Sequence, residues 1–420
     1  MKTICWKPAT VGLLIALMVS VLFEATAAKA DVVSDWNTIA VNTFVANKQN
    51  PFAQGRYLAI VQLAVFEAVN SITGEYKPYL GILTRRHWAS PEAAAIEAAY
   101  QVLNAYFPSA SLLNARNNSL AQIPDDQAKI DGIVAGDDAA AAMVALRAHD
   151  GATIGPFTKA PGPAVPGEWQ LTKNCTAGIA FNWQFVTPFG IPSARDYLIA
   201  SPPALTSEAY TKAYNEVMTV GEMDSTARPQ DRSDVALFFA AASPTQAFNQ
   251  AAQQVAQEEG SSLTENARAL ALMNMAINDS LVASFLNKYH YNFWRPETAI
   301  HAGDTDSNPK TDADPDWVPF ITTPCFPSYP SNHGSAGNAA AEVLRRLYSE
   351  AGHSITLTNP TVPTIVLQYT SFRQITDDIS DARVYGGIHF RTDQEAGADL
   401  GRAVGAAVYK NNLRRVHHEK

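Results

Sequence analysis

The chain has 420 residues, of which 47% are hydrophobic, 10% aromatic and 17% charged. Those fractions belong to a globular protein and exclude the disordered and fibrous classes. A formal net charge of −9 argues against nucleic-acid binding through bulk charge, yet leaves room for a local basic pocket.

Residues 1–30 read as an export signal. Lys2 and Lys7 precede an uncharged apolar run over residues 11–23, and Ala28-Lys29-Ala30 has the small-x-small pattern of a cleavage site. The run is short of the ~20 residues that span a bilayer, and no later stretch reads as a spanning helix. The mature chain is therefore expected to be secreted or periplasmic and free of the membrane. Cys5 leaves with the signal. Cys175 and Cys325 are free to pair in an oxidising compartment, although sequence does not give their distance. The chain contains no Cys-x-x-Cys motif, which argues against a thiolate zinc site.

Downstream the pattern is helical. Residues 55–72 are apolar at helical spacing, and residues 93–106 and 125–148 are Ala-rich, which suits close helix packing. Residues 151–193 carry many Gly and Pro and read as a long irregular connection. Helical patterning resumes at Ser207. Its clearest case is residues 262–289, where Leu263, Ala267, Leu270, Met273, Ile277, Leu281 and Phe285 line one face. Residues 297–329 form a second loop rich in Asp, Pro and Thr, of the kind usually tied to function. Further helices are expected over residues 331–350 and 388–409. Alternating apolar runs are few, so a large sheet is not expected. The reading is an all-α protein, with an N-terminal helical region over residues 31–200 and a C-terminal helical bundle over residues 201–420.

Three segments carry chemistry. The first is Lys288-Tyr-His-Tyr-Asn-Phe-Trp-Arg295-Pro296. Lys288 continues the apolar face of its helix, where a lysine is costly unless an anion neutralises it. Pro296 takes Arg295 out of helical geometry and should end that helix. The second is Phe326-Pro327-Ser328-Tyr329-Pro330-Ser331-Asn332-His333-Gly334. Ser331 reads as an N-cap, so the N–H groups of Asn332 and His333 open a helix and favour an anion. His333 is placed to move a proton to or from it. The third is Arg383-Val-Tyr-Gly386-Gly387-Ile-His389-Phe-Arg391-Thr-Asp393. His389 and Asp393 are four apart and share a helix face, so the carboxylate can fix the imidazole tautomer. Alone, the segments also fit, in turn, a helix end with snorkelling cations, a capped helix with an incidental histidine, and a surface His–Asp pair. Together they assemble three cations, a helix N-terminus and two histidines, an inventory that matches phosphate or vanadate.

The order Lys-x6-Arg-Pro, Pro-Ser-x-His, Arg-x5-His-x3-Asp resembles the vanadium-dependent haloperoxidase and type 2 phosphatidic acid phosphatase superfamily. The likeness is specific over residues 288–393 and general upstream. It implies an all-helical fold of packed bundles enclosing one oxyanion site. By resemblance, Lys288, Arg295 and Arg383 are the oxyanion-binding cations, Ser331 bonds an oxyanion oxygen, and His333 is the acid–base residue. His389 is the axial residue, the vanadium ligand in haloperoxidases and the phosphorylated histidine in phosphatases, and Asp393 orients it. Two positions depart from the family pattern. Asn332 stands for the usual glycine, where its side chain could crowd the oxyanion or add a bond to it. Ala382 stands for a common serine.

Membrane members of the superfamily have several spanning helices, and its soluble acid phosphatases are smaller. Chain length, Trp294 and the placement of Phe326 five residues before Ser331 are more similar to the soluble haloperoxidases. The resemblance thus implies a vanadate-dependent haloperoxidase using hydrogen peroxide and halide, with Lys288 polarising the peroxide. The alternatives are a secreted acid phosphatase that cleaves a phosphate ester through a phosphohistidine at His389, and an oxyanion-binding protein without turnover. A zinc site at His333, His389 and Asp393 is disfavoured by the three nearby cations.

Overall fold

The computed structural model describes residues 31–81 and 86–416. The export segment, residues 1–30, lies outside the described residues. Within them run α1 (Val32–Ala46), α2 (Pro51–Thr73), α3 (Pro91–Tyr106), α4 (Ala110–Leu120), α5 (Gln127–Arg147), α6 (Glu208–Val220), α7 (Gln230–Ala241), α8 (Pro244–Glu258) and α9 (Leu263–Tyr291). Then follow α10 (Pro296–His301), α11 (Asn332–Leu347), the strands β1 (Ala351–Thr358) and β2 (Val366–Ser371), α12 (Phe372–Val384) and α13 (Arg391–Asn411). The fold is all-α apart from this one hairpin.

Helix α9 is the axis of the molecule. Its start is set by a capping box, in which Ser262 bonds the Glu265 N–H and Glu265 bonds back to Ser262. Nearly every side chain from Thr264 to Tyr289 is buried, because α2, α11 and α13 pack around it. By length and composition α9 could cross a membrane, but here protein encloses it. Between Ala269 and Asn287 its one charged residue is Asp279, a composition that suits a buried position. Asn274, Asp279 and Asn287 are buried in it and bond to neighbouring segments. Asp279 accepts N–H bonds from Phe189 (2.7 Å), Gly190 (2.6 Å) and Ile191 (3.0 Å), and Asn287 Oδ1 accepts from Ile199 N at 3.0 Å. These contacts fasten the irregular 151–193 connection, and the chain just after it, to the core.

Helices α11 and α13 lie against each other at backbone distance. A Cβ at Gly397 would sit 2.6 Å from the Ser331 carbonyl oxygen, and one at Gly405 2.7 Å from that of Ala339. Ser331 N also donates to the Asp393 carbonyl at 2.9 Å. The start of α11 is thereby held beside the start of α13.

Several boundaries differ from those expected. α9 ends at Asn292, which is left-handed at φ 49°, four residues before Pro296. Pro296 does not end that helix but opens the short α10, as a proline at the first helical position does. α13 begins at Arg391, so His389 precedes the helix instead of lying on it. The β1–β2 hairpin, within a stretch not read as strand, pairs Ile355 with Tyr369 and Leu357 with Leu367. Gln250 and Gln254 of α8 bond both the N–H and C=O groups of Thr358 and Thr356, and so cover the outer edge of β1. Cys175 and Cys325 form a disulfide with Cα atoms 5.5 Å apart.

Candidate active site

The three chemical segments meet at one place. Lys288 comes from the last turn of α9, Arg295 from the N-cap of α10, and Ser331 to His333 from the start of α11. Arg383 comes from the last turn of α12, and His389 and Asp393 from the entry to α13. Lys288, Arg295, Ser331 and Asp393 are fully buried, and Arg383, His389 and Asn332 nearly so. His333 is half-buried in the wall of a cavity of about 590 Å³, together with Asn332, Arg383 and His389.

Each group is held by identifiable bonds. Lys288 Nζ donates to the carbonyls of Pro327 (2.9 Å) and Ser328 (2.7 Å), which uses two of its three protons. Arg295 Nε donates to Phe326 O at 2.9 Å, and its Nη1 to Ile388 O at 2.8 Å. The Phe326 ring faces both cations, 5.2 Å from Lys288 Nζ and 5.0 Å from the Arg295 guanidinium carbon. Arg383 Nη1 donates to Phe239 O at 3.0 Å.

The His389 tautomer follows from its neighbours. Arg295 Nη1 lies 3.0 Å from His389 Nε2, and a guanidinium only donates, so Nε2 is the lone-pair nitrogen. Nδ1 then carries the proton and donates to Asp393 Oδ2 at 2.9 Å. Ser328 Oγ donates to the same oxygen at 2.6 Å, and Phe390 N does so at 3.1 Å. Burial pushes the Asp393 carboxyl up to about 6, against the pull of Ser328, Lys288 and Arg295. Burial and then Arg295 hold the His389 imidazolium well below the usual histidine range. Burial and then Arg383 do the same to His333. Burial also lowers Lys288, and brings Arg295 and Arg383 each down to about 9.

The charges do not balance within the protein. Three buried cations face one buried carboxylate, and Arg295 Nη2 and Arg383 Nε have no hydrogen-bond partner. Buried charge without a counterion is expensive, so the arrangement calls for an anion. Ser331 Oγ accepts from Gly334 N at 3.2 Å, which leaves the Asn332 and His333 N–H groups as first-turn donors. Among the described residues, no group of three or more His, Cys, Asp or Glu side chains is arranged to hold a metal cation directly.

Structural comparison gives the same architecture. A crystal structure described as the first bacterial vanadium-dependent iodoperoxidase superposes with a TM-score of 0.78 at 24% identity, covering 93% of this chain and 98% of that one. An apo-type bacterial vanadium-dependent chloroperoxidase gives 0.70 at 15% identity, covering 85% of this chain and 92% of that one. In sequence, residues 268–418 match the family described as the VCPO second helical-bundle domain. The chain shares the fold of these vanadium-dependent haloperoxidases. Vanadium chloroperoxidase of Curvularia inaequalis is 27% identical over an alignment of 187 residues, which covers 37% of this chain and 30% of that protein. The chain thus matches under a third of the length of this curated relative.

All eight residues singled out in the sequence converge. The His389–Asp393 contact is present, but it spans the entry to α13 in place of a helix face. Asn332 Oδ1 accepts from Ser284 Oγ at 2.6 Å, so the side chain is tied to α9. Ala382 is buried in the core. Trp294 packs with Tyr210 in a second aromatic core and does not line the cavity. Ser328 and Ser284 were not singled out. Ser328 stood inside the quoted Pro-rich run, but no spacing rule links it to Asp393, 65 residues away. Ser284 stands one turn before Lys288 on the same face of α9, the one sequence signal that could have found it.

Proposed function

We propose that the chain is a vanadate-dependent haloperoxidase that oxidises halide with hydrogen peroxide. The observation that carries this reading is the set of three buried cations around His389, with guanidinium N–H groups unpartnered. That donor set fits a tetrahedral or trigonal oxyanion. Lys288, Arg295 and Arg383 would neutralise vanadate, Ser331 and the N–H groups of Asn332 and His333 would bond its oxygens, and His389 Nε2 would ligate vanadium. Bound vanadate supplies a Lewis acid that activates peroxide toward halide without changing its own oxidation state.

The rest is done by the protein. Asp393 and Ser328 keep the His389 Nε2 lone pair directed inward. The His333 imidazole, held neutral by burial beside cations, accepts a proton from peroxide as it binds and returns it to the departing oxygen. Lys288, with one proton uncommitted, polarises an oxygen of the reactant. Phe326 excludes water from the two cations it covers, which strengthens their field. The export segment and the Cys175–Cys325 bond support a secreted or periplasmic location.

An acid phosphatase is the second reading, favoured by the same lone pair on His389. There Nε2 would attack phosphorus and His333 would protonate the leaving alcohol. Parallel assays separate the readings. Vanadate-loaded protein should halogenate monochlorodimedone with peroxide and iodide or bromide, and should release little nitrophenol from its phosphate ester. Nitrophenol release without vanadate, abolished by His389→Ala and unaccompanied by halogenation, would select the phosphatase. Oxyanion binding without either activity would select a binding protein.

A further inference from the structure

The cavity beside the oxyanion site is far larger than peroxide and halide require. Its volume of about 590 Å³ is that of a small-molecule pocket. Its wall is mostly apolar and comes from different parts of the chain, with Phe52 of α2, Phe239 of α7, Leu281 of α9 and Ile321, while Gln54, Thr245 and Gln246 add polar groups away from His333, Arg383 and His389. The four apolar side chains are buried, so the wall is built into the core and is not a mobile surface. The rim is small, with Ala241 half-buried and Thr322 exposed. Apolar wall and oxyanion end belong to one continuous cavity, which brings any molecule in it against His333.

We propose that this cavity binds the organic acceptor, a predominantly apolar molecule of one or two aromatic rings, so that halogen transfer occurs inside the protein. This inference rests on the haloperoxidase reading for its chemistry, but not for the binding itself. In the transfer, a ring carbon forms a bond to halogen and loses its hydrogen as a proton. The two oxidising equivalents come from hydrogen peroxide, which is reduced to water.

The test uses 2-naphthol as probe, titrated calorimetrically into the mature protein, with orthovanadate titrated separately. Ala241→Trp and Thr322→Trp fill the cavity from its rim. The expected result is one naphthol per chain, with affinity reduced at least tenfold in a folded rim variant while vanadate affinity is unchanged. No naphthol binding by the unaltered protein, or equal binding by both folded rim variants, overturns the proposal. Naphthol binding that the rim variants block, in a protein that binds no vanadate, supports the pocket and removes the haloperoxidase reading instead.

Discussion

At the scale of single residues, His389 is set as much by its neighbours as by its own place in the chain. Asp393 Oδ2 accepts three bonds, from His389, Ser328 and Phe390, and only one of these comes from the group it orients. Replacing Asp393 with Asn removes the charge that favours the Nδ1–H tautomer. Equilibrium dialysis should show vanadate affinity falling about 10–100-fold, with helical content unchanged. Ser328→Ala removes one of three donors to the same oxygen and should cost about 1 kcal/mol, roughly fivefold in affinity. A different buried carboxyl governs stability. Glu67 of α2 bonds the Tyr79 N–H through one oxygen and leaves the other without a partner. Burial raises its pKa from 4.5 to about 7. The folded chain therefore holds a proton that the unfolded chain releases, and stability falls as pH rises from 4.5 through 7. Glu67→Gln should flatten that slope in urea titrations, with a gain on the order of 3 kcal/mol above the folded pKa. An unchanged slope would mean that Glu67 is ionised without penalty.

At the scale of elements, the starts of α11 and α13 are the parts on which the site geometry depends. Gly397→Ala would place a methyl group 2.6 Å from the Ser331 carbonyl and force the two helix starts apart. It should cost about 1–3 kcal/mol and weaken vanadate binding as well, read from denaturation midpoints and dialysis. The Cys175–Cys325 bond closes a span of 150 residues and sits next to Phe326. Ile179 N donates to Cys325 O at 2.8 Å, so the irregular connection is fastened at the same point. Cys175→Ser with Cys325→Ser should lower stability by about 2–5 kcal/mol in denaturant titrations. What the sequence revealed of these elements followed strength of periodicity. α9 was legible because its apolar face repeats from Leu263 to Phe285, over about six turns. The hairpin was not. In Ala351–Thr358 only His353, Ile355 and Leu357 turn inward, and β1 owes its cover to Gln250 and Gln254, a hundred residues upstream. The role of Pro296 was misread because a proline that stops one helix is also suited to start the next.

At the scale of the molecule, an acidic chain concentrates uncompensated positive charge at its centre. The eight site residues were legible because their chemistry is improbable in a core: a lysine on an apolar face, arginines beside glycines and prolines, histidines next to a cap. The cavity wall was not legible. Phe52, Phe239 and Leu281 are ordinary core residues in sequence, and only the packing of α2 on α9 and of α7 on α12 turns them toward one space. Folding this charge arrangement is costly without its anion, so a bound oxyanion should stabilise the whole chain. At a hundredfold excess over the dissociation constant the gain should be about 2.7 kcal/mol. The most direct measurement is equilibrium dialysis of orthovanadate against the mature protein and its His389→Ala variant. One vanadate per chain, displaced by phosphate and bound at least tenfold more weakly by the variant, is the predicted result. No saturable binding, or equal binding by both proteins, would contradict the oxyanion site.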